Sequence, residues 1–174
     1  MPTQARLLCD DYELTEYRAL LERFYGFYAA LALESPVGAK ADEWKSRVAE
    51  RAKLLELDLL DLGLSPAEIA LCPRCRHLPA IDTSDRVLGC AYVLEGSTLG
   101  GRVIFKHLSR VFASREALPL RFFAGDGSGT AERWRHFCTS LDADAVDADE
   151  VCAAACAVFD ALAAWLAEPS GIVR

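Results

Sequence analysis

The chain has 174 residues, 52% of them hydrophobic and 26% charged, with a net charge of −7 from 19 basic and 26 acidic side chains. That length suits one domain with its own core, spanning residues 1–174, and the acidic balance excludes a nucleic-acid partner because no basic excess exists to displace counterions from phosphates. No run of about 18 uncharged apolar residues occurs, so no membrane-spanning helix is expected. The start, MPTQARLLCDDYELTE, lacks both the basic region and the apolar stretch of a secretory signal, which makes the cytoplasm the expected compartment.

Apolar residues recur at three- and four-residue spacings almost throughout, and the chain reads as all-α, a single-domain bundle of six or so helices. The first is expected from Thr15 to about Leu33, with Leu20, Leu21, Phe24, Phe27, Tyr28 and Leu31 on its apolar side and Ser35-Pro36 closing it. A second runs from about Asp42 to Leu62, where Gly63 supplies the left-handed cap; Trp44, Val48, Leu55, Leu59 and Leu62 face inward, and Lys45, Arg47, Glu50, Arg51 and Lys53 are placed around the outside. Ser65-Pro66-Ala67-Glu68 is a helix start with a capping box, and Cys72-Pro73 ends the short helix it opens. The longest periodic segment extends from about Ser84 to Phe112. A loop with Pro119 and Gly-Asp-Gly-Ser-Gly at 125–129 follows, then a helix from Thr130 to about Leu141 and a last one, capped by Asp147 and Glu150, to about Ala167.

Seven cysteines, Cys9, Cys72, Cys75, Cys90, Cys138, Cys152 and Cys156, do not form a disulfide framework in a chain of this length. Cys72-x-x-Cys75 with His77 supplies at most three metal ligands and lacks a second pair, and the strand-turn-helix setting of a redox dithiol is absent. Cys152 and Cys156, one turn apart in an alanine-rich helix, read as small core residues.

Within the long segment, Gly96, Gly100 and Gly101 sit inside a helix, at roughly 1 kcal/mol each relative to alanine. Gly96 and Gly100, four apart, share one face and offer a strip of bare backbone, while Ser97 and Thr98 can bond back to carbonyls a turn earlier and help the helix bend. Two readings account for the strip: close helix-on-helix packing, or a kinked helix lying over a planar ligand.

Tyr92-Val93-Leu94-Glu95-Gly96-Ser97-Thr98-Leu99-Gly100-Gly101 resembles the distal-helix signature of bacterial haem oxygenases, especially those found alongside bacteriophytochromes. The resemblance extends to Leu14-Thr15-Glu16-Tyr17, Phe24-Tyr25-Gly26-Phe27-Tyr28, Leu78-Pro79-Ala80-Ile81-Asp82, Arg121-Phe122-Phe123 and Glu132-Arg133-Trp134-Arg135-His136-Phe137, in the family's order over roughly residues 6 to 166. It implies an all-helical fold that holds haem, as cofactor and substrate, between a proximal and a distal helix and opens its ring with dioxygen to biliverdin, carbon monoxide and ferrous iron. Implied partners are an electron donor such as a ferredoxin or a flavin reductase and a bacteriophytochrome as product acceptor. By the same resemblance Gly96, Gly100 and Gly101 let the distal helix approach the haem. Ser97 stands where several relatives place an aspartate that organises water, which leaves proton delivery to water and backbone. Tyr92 and Arg135 fall near positions that meet haem propionates, with Arg133 as the alternative to Arg135.

The family's iron ligand is a histidine on a helix ahead of everything aligned here, whereas the histidines of this chain are His77, His107 and His136. The expectation is therefore a chain without the proximal helix and its ligand, which is either a haem oxygenase completed by an upstream helix or a non-catalytic haem or tetrapyrrole carrier or interaction protein of the same fold. His107 shares the glycine face but lies roughly 10 Å beyond Gly100, too far to serve as ligand, and His136 is expected to be solvated.

Overall fold

Thr83, Ser65 and Asp147 each place a side-chain oxygen where a helix must satisfy its first amides, and in each case the helix begins at the next residue. In the computed structural model, which describes residues 6–38, 40–114 and 118–168, the long helices are α1 (Leu14–Leu31), α2 (Ala41–Asp61), α4 (Ser84–Val111), α6 (Thr130–Asp144) and α7 (Ala148–Ala167). Two short ones, α3 (Pro66–Ala70) and α5 (Arg121–Ala124), complete them, with a single 3-10 turn at Gly127–Gly129. Among the described residues there is no strand, as the apolar spacing predicts.

The inward positions expected for α1 and α2 are the core: Leu20, Leu21, Phe27, Tyr28, Leu31, Trp44, Val48, Leu55 and Leu59 are all buried. Helix α5 falls where only a loop is expected, because its cap comes from far along the chain. The fully buried Asp58 carboxylate accepts from the backbone N–H of Arg121 (3.1 Å) and Phe122 (2.9 Å). Burial pushes that carboxyl up despite these bonds. Phe122 and Phe123 of α5 then pack in tilted and edge-on pairs with Tyr17, Phe24 and Tyr28 of α1 at centroid separations of 5.1 to 6.3 Å.

Two further expectations are corrected. Arg47 and Arg51 are buried, not outward, because each finds a partner inside: carboxylates for Arg47 and the ring of Phe122, 4.1 Å away, for Arg51. Cys152 and Cys156 are exposed, since α7 is apolar nearly all round and its buried face is chosen by Val151, Ala154, Val158, Trp165 and Leu166. By length and composition alone α7 is as apolar as a membrane-spanning segment, mean hydropathy 1.7 with 22% of the window buried, because isolated carboxylates such as Asp160 barely dilute its alanines; in this fold it packs against α4 at Gly89.

Close helix packing does use a missing side chain, at Gly89. A Cβ there would lie 2.5 Å from the Val151 carbonyl oxygen and 2.7 Å from the Ala154 Cβ, so bare backbone lets α7 settle against the first half of α4.

Candidate functional site

Helix α4 continues without interruption through its glycines, Ser84–Val111, for 28 residues. The hydroxyls of Ser97 and Thr98 donate to the carbonyls of Leu94 (2.7 Å) and Glu95 (2.6 Å), the back-bonding their sequence suggests. The three glycines do not share one environment. A Cβ at Gly101 would meet the Phe123 backbone at 3.4 Å and one at Gly96 would meet the Trp134 ring at 3.4 Å, whereas one at Gly100 would meet no atom of the described residues within 4 Å.

Around Gly100 the helix offers apolar ground to solvent: Tyr92 is 43% exposed, Leu99 37% and Val103 60%. Ser97 is exposed beside them, its hydroxyl already committed to Leu94. Arg133 and Arg135, the two alternatives for an anionic group, have different surroundings. Arg133 approaches Glu95 at 3.4 Å and Asp126 at 3.9 Å, while Arg135 is exposed and makes no ion pair among the described residues.

On the other side of α4, Leu88, Leu94, Trp44 and Phe137 floor a cleft of about 770 Å³, solvent at its mouth included, between α2, α4 and α6. Its charges are engaged with one another. Arg47 donates to Glu95 (2.8 Å), Glu50 (2.7 Å) and Asp126 (2.5 Å), and Lys40 pairs with Asp144 at 3.3 Å. This is a structural ion network that joins three helices, and sequence reading missed it; the one signal was Glu95, a carboxylate in the middle of an apolar run. Burial pushes the Asp126 carboxyl up, but the Arg47 hydrogen bond and the charges of Arg47, Arg133 and Arg51 outweigh it and hold the group below the usual aspartate range. Asp126 therefore contributes stability above its unfolded pKa that is lost as pH falls through its lower folded value. The excess unfolding stability of the parent over Asp126→Asn, measured in urea, should shrink as pH is lowered below about 4; a pH-independent difference refutes the linkage.

The histidines lie apart from Gly100. His107 Nε2 is 3.1 Å from the Cys9 carbonyl oxygen, exposed His136 lines the cleft on the far side of α4, and His77 is exposed in the loop after Cys75. In that loop burial pushes the Cys72 thiol up to about 11 and raises Cys75 as well, the reverse of an activated thiol. No group of three or more potential metal ligands occurs among the described residues.

Residues 3–168 match the family described as Heme oxygenase, nearly the whole chain. The chain belongs to the haem oxygenase family. Comparisons with curated proteins and with solved structures found no match. Haem binding is what membership implies, and the Gly100 surface supplies a test of fit. A helix-interior glycine with nothing opposite it, bordered by exposed apolar side chains, is a surface on which a flat ring can lie at backbone distance. In this haem oxygenase family member the residues around Gly100 leave room for such a ring.

Proposed function

We propose that this chain binds haem flat against α4 at Gly100, one turn beyond Gly96, and takes part in its oxidative opening to biliverdin, carbon monoxide and ferrous iron. Gly100 is the observation that carries the reading. A helix-interior glycine costs about 1 kcal/mol relative to alanine, and no packing contact among the described residues returns it. A planar ligand does. Tyr92, Leu99 and Val103 supply its apolar surroundings, and the unpaired guanidinium of Arg135 is available to grip a propionate.

Bound haem supplies the iron and the ring carbon that dioxygen attacks. The chain's own part is to keep side chains off the ring face at Gly100 and to exclude water with the apolar border. The Ser97 hydroxyl, turned to the Leu94 carbonyl, does not face the strip as a proton donor, so water and backbone fill that role. None of the three histidines lies beside Gly100, so none is assigned as an iron ligand. The same observation favours a second reading, a haem or tetrapyrrole carrier without turnover. A cytoplasmic electron donor, either a ferredoxin or a flavin reductase, and a bacteriophytochrome acceptor belong to the catalytic reading.

Titration with hemin, with and without added imidazole, is expected to give a saturable 1:1 Soret band that sharpens when imidazole is present. Reductant and oxygen should then produce the biliverdin absorbance. A stable haem spectrum without biliverdin leaves the carrier, and no Soret change in either condition overturns both readings.

A further inference from the structure

We infer that Trp134 is a wall of the haem seat and sets how far along α4 the ring can reach. The inference rests on the haem-binding reading above. Helix α6 has Thr130 as its one buried residue, so its body lies on α4 through few side chains. The chief of these is Trp134, whose ring would be 3.4 Å from a Cβ at Gly96, flush with the bare backbone there. Its ring lies 5.3 Å from that of Tyr92 and 5.8 Å from that of Phe137, centroid to centroid, with the Phe137 pair stacked. The pairing of Arg133 with Glu95 and Asp126 ties down the first turn of the helix that carries the indole.

The consequence is an asymmetric strip. At Gly96 the space over the helix is taken by the indole edge, and at Gly100, one turn on, it is free. A flat ring lying on Gly100 therefore stops against Trp134 and Tyr92, and the aromatic wall adds contact along one ring edge. No aspect of the helical pattern marks Trp134 for this role; only its seat against a glycine does.

The experiment titrates hemin into the full chain and into Trp134→Ala, Trp134→Phe and Gly100→Leu, reading affinity, the Soret maximum and the thermal midpoint. The expected result is a loss of about tenfold in hemin affinity for Trp134→Ala with a displaced Soret maximum. Trp134→Phe should recover most of the affinity, and Gly100→Leu should block uptake. If Gly100→Leu blocks uptake while Trp134→Ala keeps both affinity and Soret maximum, the wall is wrong and the haem-binding reading stands. If both Trp134 variants lose affinity equally and in step with their thermal midpoints, the role is structural and the inference fails. A parent chain that takes up no hemin overturns the wall together with the reading beneath it.

Discussion

Replacing Gly100 with leucine is expected to raise the stability of the chain and to abolish hemin uptake. The two effects have opposite signs because they come from different links between sequence and function. In the ligand-free protein a Cβ at this position meets no atom of the described residues within 4 Å, so the new side chain starts into open space and the substitution recovers about 1 kcal/mol of helix propensity. With a ring lying on the backbone, the leucine side chain occupies the ring's place, and affinity should fall by at least about a hundredfold, some 2.7 kcal/mol. Urea unfolding and hemin titration on one sample measure both. A variant that is destabilised, or one that is stabilised and still binds hemin as the parent does, removes the reason for assigning ligand contact to this glycine.

Arg47→Met is expected to destabilise the fold by about 3–5 kcal/mol, the cost of leaving buried carboxylates without their cation. Arg47 reaches Glu95 through Nε (2.8 Å) and Nη2 (3.4 Å), and Glu50 and Asp126 through the fork's remaining positions. Once it is gone, Glu95 retains the more distant Arg133, at 3.4 Å, and Asp126 loses its shortest hydrogen bond. The double substitution Arg47→Met with Glu95→Leu should recover much of the loss, because an apolar pair of similar volume removes the unpaired charge too. Denaturant unfolding of the two single variants and the double variant gives the coupling. A single-variant loss below about 1 kcal/mol, the scale of a surface ion pair, would show that solvent already screens the network.

Helices whose ends are written locally were legible in the sequence to within a residue or two. Ser65 with Glu68 and Asp147 cap the helices they precede, as their residue types suggest, and α4 starts where its periodicity does, with Thr83 as a cap that was not singled out. Helix α5 was not legible, because Asp58 caps it from 63 or 64 residues away and nothing in Arg121–Ala124 announces that partner. Arg47 and Arg51 were misplaced for a related reason. A positional pattern assigns charge to the surface unless the burying partner is known, and for Arg51 that partner is a phenyl ring on α5. Periodicity also fails where contrast fails: in α7, with apolar residues on every side, spacing cannot say whether Cys152 faces in or out. That glycines fall inside α4 was readable, by contrast, because glycine in a helix breaks a local rule, but that Gly96 is covered while Gly100 is open was not. The aromatic wall beside it was not, since an indole in a polar helix is ordinary until its neighbour is seen to lack a Cβ.

Helix α4 is held unevenly along its length. Its first half is clamped at Gly89 by α7, while its second half presents Gly100 and the exposed Leu99 and Val103 to solvent. Local opening is easiest where few buried contacts oppose it and glycine lowers helix propensity. In amide hydrogen exchange the turn after Gly96 should therefore lose protection well before the turns around Gly89. A ring laid on Gly100 would close that gap in protection, which ties the uptake of a ligand to the local opening of this helix.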